Sequence, residues 1–149
     1  LLGPLIDAVL EEAGAVPVLV KIAPDLDDEA VEAVARLAVA KGLAGVIATN
    51  TTIARTGLVS DPARVEAAGA GGLSGAPVRA RSLEVLRIIR RVVPADFCVI
   101  AVGGIETADD ARERLDAGAT LIQGYTGFLY RGPLWARQIL RGLARASRA

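Results

Sequence analysis

Apolar positions along the chain follow two alternating patterns. Four short runs are apolar almost without interruption: Val16 to Ile22, Leu43 to Ala48, Phe97 to Val102 and Ala119 to Gly124. Such runs, rich in β-branched residues, predict strands covered on both faces, as in a parallel sheet. Between them apolar residues recur every three or four positions. Leu5, Val9 and Ala13 are spaced by four in a segment that opens at Pro4 and stops at Gly14, which predicts a first helix. Val31, Val34, Ala35, Ala38 and Val39 predict a second, capped by Asp27 or Asp28 and ended by Gly42. Leu83, Leu86, Ile89 and Val93 predict a third over Val78 to Val93, stopped by Pro94. Thr107 and Asp110, placed as a capping box, open a fourth that runs to Ala117 and closes at Gly118. A last helix starts at Pro133, with Trp135, Ile139, Leu140 and Leu143 assigned to one face.

Strands alternating with helices imply a parallel sheet with helices outside it. No repeat of 20–50 residues appears beyond that alternation. A doubly wound sheet carries its phosphate-binding glycines after the first strand, as G-x-G-x-x-G. Here the glycine pairs come late. A (β/α)₈ barrel takes about 250 residues, so this α/β chain is predicted to be the C-terminal half of such a TIM barrel. It forms one unit over residues 1–149, with about four parallel strands. The chain begins Leu1-Leu2-Gly3 and contains no methionine, and so reads as a piece of a longer protein.

Composition narrows the function. Hydrophobic residues make up 52% and aromatics 3%, so the core is aliphatic. Seventeen basic and seventeen acidic residues cancel, which argues against a nucleic-acid partner or a polybasic membrane patch. One cysteine, Cys98, excludes an internal disulfide and reads as an inert core residue; the lack of histidine argues against a metal site. No apolar run reaches the roughly 20 residues needed to span a bilayer, and no signal peptide is read at the start. The expectation is a soluble fragment.

Five stretches carry candidate chemistry. Lys21 interrupts the first strand, where its ammonium either meets an anion at the mouth of a barrel or snorkels out of the strand end. Thr49-Asn50-Thr51-Thr52 follows the second strand directly, offering three hydroxyls and an amide to a flat polar ring, or simply making a turn. From Thr49 to Pro77 the chain makes a long glycine-rich excursion, the usual form of a lid or binding loop, and Gly71-Gly72-Leu73-Ser74-Gly75 within it either brings backbone against a partner or lends flexibility. Gly103-Gly104 after the third strand and Tyr125-Thr126 after the fourth occupy the loops that hold phosphate in (β/α)₈ barrels. The plainer reading makes Gly103-Gly104 a tight turn and Tyr125 a rim aromatic. Arg79, Arg81, Arg87, Arg90 and Arg91 read as a solvated helix face, and Asp25, Asp27, Asp28 and Glu29 as the anionic first turn of a helix.

Taken together, these motifs resemble a family. Val20-Lys21-Ile22-Ala23-Pro24-Asp25-Leu26, Ile47-Ala48-Thr49-Asn50-Thr51-Thr52, Gly71-Gly72-Leu73-Ser74-Gly75, Val102-Gly103-Gly104-Ile105 and Tyr125-Thr126-Gly127-Phe128 occur in the order and near the spacing of dihydroorotate dehydrogenase. The first two resemble the quinone-dependent class (class 2); the glycine-rich segment also resembles the NAD-linked class. The resemblance runs from about Pro17 to the last helix. It implies FMN as cofactor, dihydroorotate and orotate as substrate and product in pyrimidine biosynthesis, and a quinone as electron acceptor.

It also implies roles. Lys21 resembles the lysine beside the pyrimidine edge of FMN, Thr49 an FMN contact, and Asn50 and Thr51 the residues that bind the orotate ring. Gly75, Gly103 and Gly104 match flavin-contacting glycines. Tyr125 and Thr126 match the pair that holds the FMN phosphate; many relatives have serine at the second place, and threonine keeps the hydroxyl. In the family a base removes a proton from C5 of dihydroorotate while hydride leaves C6. The serine base of the quinone-dependent class lies in the first barrel half, and Ser60, Ser74, Ser82 and Ser147 match no such motif. The expected catalytic set is therefore incomplete here, and the isolated chain is expected to be inactive. Its missing partner is the N-terminal barrel half, with the helices that receive quinone and touch the cytoplasmic side of the inner membrane. Alone, a half-barrel is expected to self-associate. Alternatives are the NAD-linked or another class 1 enzyme of the family, an FMN-dependent dihydrouridine synthase, a phosphosugar isomerase, or a non-catalytic half-barrel.

Overall fold

A computed structural model describes residues 2–146; Leu1 and Ser147 lie outside the described residues. The elements run α1 (Leu2–Ala13), β1 (Leu19–Ile22), α2 (Asp28–Ala40), β2 (Gly45–Ala48), α3 (Pro62–Ala67), a 3₁₀ turn (Ala76–Val78), α4 (Arg79–Val92), β3 (Cys98–Val102), α5 (Ala108–Asp116), β4 (Leu121–Gln123), α6 (Thr126–Arg131) and α7 (Trp135–Ala146). The four strands form one parallel sheet in the order β1-β2-β3-β4. Its register sets Lys21 beside Ile47, Ile47 beside Ile100, and Ile100 beside Leu121. Parallel neighbours joined through a helix each time are the units predicted from the alternation.

Strands are shorter than the apolar runs that announced them. Leu43, for example, is buried but precedes the β2 ladder, because packing under α2 selects for apolarity without requiring strand pairing. Val20, Ile22, Val46, Ala48, Val99 and Ala101 alternate toward the helices, where α2 and α4 cover them with Val31, Ala35, Leu86 and Ile89. Asp27 caps α2, its carboxylate accepting from the Ala30 amide at 2.8 Å. The Thr107–Asp110 capping box forms as read.

Two faces are corrected. In α1 the stripe turned to the core is Leu2, Ile6 and Leu10; Leu5 and Val9 instead line an open groove beside β1. Both stripes have four-residue spacing, and β1 pairs on one side only, so the second stripe is left uncovered. In α7 Trp135 and Ile139 are buried and Leu143 packs against the core, but Leu140 is 66% exposed. The arginine face is corrected in part: Arg87 and Arg91 stand exposed as read, but Arg79, Arg81 and Arg90 turn back onto the protein. Arg81 reaches the carbonyls of Pro24 and Leu26 (3.1 and 2.7 Å), Arg90 those of Pro94 and Phe97, and Arg79 that of Gly104. A guanidinium with five donors on a long stem ties neighbouring loops to α4, which helical spacing cannot reveal. Burial lowers the pKa of Arg90; for Arg81 burial acts the same way, but hydrogen bonds to Asp28 and Glu84 outweigh it and raise it.

Candidate functional site

Parallel strands place all four C-terminal ends on one edge of the sheet, and every predicted site residue lies on or just beyond those ends. Cross-links between connections sharpen that edge. The Thr49 amide donates to Val102 O at 2.8 Å, and the Asn50 amide to Ile22 O at 2.7 Å.

Beyond β3 and β4 the ends form a cleft lined by Gly75, Gly103, Gly104, Tyr125 and Thr126, five of the seven residues predicted on the cofactor side. Lys21 and Thr49 do not line it. Thr126 opens α6, and its Oγ1 lies 2.8 Å from the Ser74 hydroxyl. The long glycine-rich segment is thus pulled into the cleft. Close approach explains its glycines: a β-carbon on Gly75 would stand 2.8 Å from Thr126 Cγ2, and one on Gly72 would overlap the Thr51 hydroxyl. Gly104, at φ +68°, leaves no room for a β-carbon against the start of α4 at Arg79. Glycine backbone, the unbonded first turn of α6 and two hydroxyls suit an anionic oxygen cluster.

The turn after β3 is braced from behind. Gly103 O accepts from Ser82 Oγ at 3.0 Å, Gly104 O from Arg79 Nε at 2.9 Å, and Glu106 O from Trp135 Nε1 at 2.9 Å. The Asp110 carboxylate accepts from the Glu106 and Thr107 amides, the Thr107 hydroxyl and Arg79 Nη2, all at 2.8–3.0 Å. Burial pushes the Asp110 pKa up, but those bonds and the Arg79 charge outweigh it and hold it below the usual carboxylate range. Arg114 is wholly buried beneath the turn, and burial lowers its pKa. Sequence reasoning missed Arg114, Ser82 and Ser74. The available signal was in α5, where Arg114 follows Ala111 by three and so shares its inward face, while Leu115 is 37% exposed.

The β1 and β2 ends are more open. Lys21 is exposed on the face of β1 opposite the buried Ile22. Thr49 is buried, its hydroxyl donating to Asn50 O at 2.9 Å. Asn50 and Thr51 are exposed; Asn50 Oδ1 accepts from the Thr51 amide at 3.0 Å, which leaves its Nδ2 for another partner. The acidic cluster is more than a helix start: Asp25 accepts from the Thr52 hydroxyl at 2.6 Å and anchors the loop. Thr52 also pairs with Leu73 in an antiparallel bridge, so the excursion is closed at its base, and the Arg55 guanidinium meets Gly71 O just above it. Tyr125 is a 69% exposed rim aromatic as well as a cleft residue.

Comparison with known proteins bears on the family and the fold. A sequence model of the family described as dihydroorotate dehydrogenase matches residues 3–146. The chain is 73% identical over 143 residues to dihydroorotate dehydrogenase (quinone) of Leifsonia xyli subsp. xyli, covering 96% of this chain and 42% of that protein. With the protein of the same name from Clavibacter sepedonicus the identity is 67% over 148 residues, 99% of this chain and 43% of the relative. The chain thus spans about two fifths of the length of the curated relatives it matches. Among solved structures, DHODH of Eimeria tenella in complex with ferulenol superposes with a TM-score of 0.79 at 39% identity, over 87% of this chain and 34% of that one. Four parallel strands with intervening helices are part of an α/β barrel, and the chain belongs to the dihydroorotate dehydrogenase family.

Proposed function

We propose that the full-length protein oxidises dihydroorotate to orotate with a quinone as acceptor, in pyrimidine biosynthesis, and that this chain is the C-terminal half of its FMN-binding barrel. The observation that carries the reading is the cleft, which gathers Gly75, Gly103, Gly104, Tyr125 and Thr126 where a ligand phosphate would sit. The cleft fits such a group, since glycine backbone at Gly75, Gly103 and Gly104 and the hydroxyls of Ser74 and Thr126 meet at it. The names of the relatives support the substrate and the acceptor.

Bound there, FMN would supply hydride acceptance from the dihydroorotate ring and electron delivery to quinone. The chain's own residues prepare the site. Gly103-Gly104, Tyr125 and Thr126 hold the phosphate with amides and a hydroxyl. The Lys21 ammonium, on the exposed face of β1, favours negative charge developing on a ring beside it. Thr49 shapes the β2 end from within, and Asn50 Nδ2 and the Thr51 hydroxyl orient orotate. The proton leaving C5 goes to a base outside this chain, in the N-terminal half, which also carries the quinone and membrane contacts on the cytoplasmic side of the inner membrane. Among the described residues no helix is long and apolar enough to cross a membrane. The isolated chain, with β1 and β4 each paired on one side, would self-associate and lack activity.

The test is the visible spectrum of the purified full-length protein. A bound-flavin spectrum that bleaches on adding dihydroorotate and recovers with a quinone is the expected result. A colourless folded protein that leaves dihydroorotate unchanged would overturn the proposal.

A further inference from the structure

Arg114 Nη2 lies 2.7 Å from Arg79 O, 3.3 Å from Ser82 Oγ and 3.4 Å from Gly103 O. Ser82 Oγ lies 3.0 Å from both Arg79 O and Gly103 O. A hydroxyl has one proton, so Ser82 can serve only one of those carbonyls, whereas Nη2 has two. The short contact assigns one Nη2 proton to Arg79 O, and the other is shared between Ser82 Oγ and Gly103 O. Arg79 O, the carbonyl three residues back that a helical serine would otherwise take, serves both its own helix and Nη2, which leaves Gly103 O as the acceptor for the Ser82 proton. Arg114 Nε has no hydrogen-bond partner among the described residues, and the guanidinium is fully desolvated. A methionine would fill the space without that cost. Satisfying arginine itself therefore does not explain the arrangement, but control of the Gly103 carbonyl does.

We propose that Arg114 is a positioning residue for the anion cleft: through Ser82 it fixes the Gly103 carbonyl away from the ligand and so holds the Gly103-Gly104 turn ready for phosphate. This rests on the FMN reading above and deepens it. Its buried charge lies directly behind the turn, where it adds to the attraction for a dianion. Glu113, its nearest carboxylate at 3.4 Å, is half exposed and neutralises it incompletely.

The test titrates flavin-stripped full-length protein with FMN and with riboflavin, which lacks the phosphate. Ser82→Ala is expected to weaken FMN roughly tenfold, and Arg114→Met by more, while riboflavin shifts by no more than about twofold in either. Arg114→Lys, which keeps the charge and one donating nitrogen, recovers part of the FMN preference. A merely structural role would weaken both ligands alike, and that result, or an unchanged FMN-to-riboflavin ratio, overturns the inference. If Arg114→Met does not fold, Ser82→Ala decides alone, because it removes one oxygen and leaves the helix intact. Wild-type protein that binds FMN no tighter than riboflavin would overturn the FMN reading and this inference together, and so is distinguishable from failure in the variants only.

Discussion

The β3–β4 end and the β1–β2 end of the sheet are built to different standards of enclosure. Behind Gly103-Gly104, side chains from α4, α5 and α7 take up the carbonyls of Gly103, Gly104 and Glu106, and Asp110 takes up two amides. Around Lys21, Asn50 and Thr51 the side chains stand exposed, and the main brace is Asp25 beneath Thr52. On the proposed reading, the residues that hold the phosphate are therefore all within this chain. On the same reading, the ring's polar partners are in place, but among the described residues no second wall covers them. On the proposed reading that wall is the remainder of the barrel. A ligand gripped by its charged tail on one side and its reactive ring on the other lets two stretches of polypeptide divide the work.

Changes on the enclosed side should cost stability, and changes on the open side should cost chemistry. The largest loss is expected for Trp135→Ala, which removes a buried ring packed on Gly124 and Gly127 together with the bond to Glu106 O. Chemical denaturation of the full-length protein should show ~3–5 kcal/mol of destabilisation. Gly104→Val should follow at ~2–3 kcal/mol, from a side chain forced on Arg79 at positive φ, and the purified protein should carry little flavin. Lys21→Met reverses the pattern: stability within about 0.5 kcal/mol of the wild type, but dihydroorotate oxidation slower by on the order of 10²-fold. Equal destabilisation by Lys21→Met and Trp135→Ala would erase the distinction between the ends.

The smallest effect is a pH dependence. Asp110 titrates below its ordinary value of 3.8 when folded, so its contribution is fully present above that value. It disappears as pH falls from about 4 through the lower folded value. Asp110→Asn should flatten this part of the stability profile, read from melts between about pH 5 and 2. A variant that loses stability in parallel with the wild type across that range would remove Asp110 from the bracing of the turn.

Much of this was legible in the sequence because burial on both faces leaves an unbroken apolar signature. Strands β1 to β4 and helices α2, α4 and α5 follow from it, and the loops that line the cleft follow from where the glycines fall; α3, inside the long excursion, was not legible. What else was not legible has one common cause: long polar side chains act at a distance from their own position. Arg79, Arg81 and Arg90 sit where a solvated face would sit, yet their guanidinium groups end on carbonyls of other elements. Arg114 is hidden in the polar stretch Arg112-Glu113-Arg114, and only its phase with Ala111 betrays it. The Leu5–Val9 stripe of α1 misled for the opposite reason, since a correct period does not say which of two adjacent stripes meets the sheet.

The Thr52–Leu73 bridge has a practical consequence. It seals the excursion at its root, so the residues from Gly57 to Gly69 form a replaceable cassette whose length is felt little at Gly72 and Gly75. Doubling a flexible loop costs only about 0.6 kcal/mol in closure entropy. A fluorescent reporter domain spliced in at Gly57 would therefore ride on the mouth of the barrel while the cleft below kept its shape.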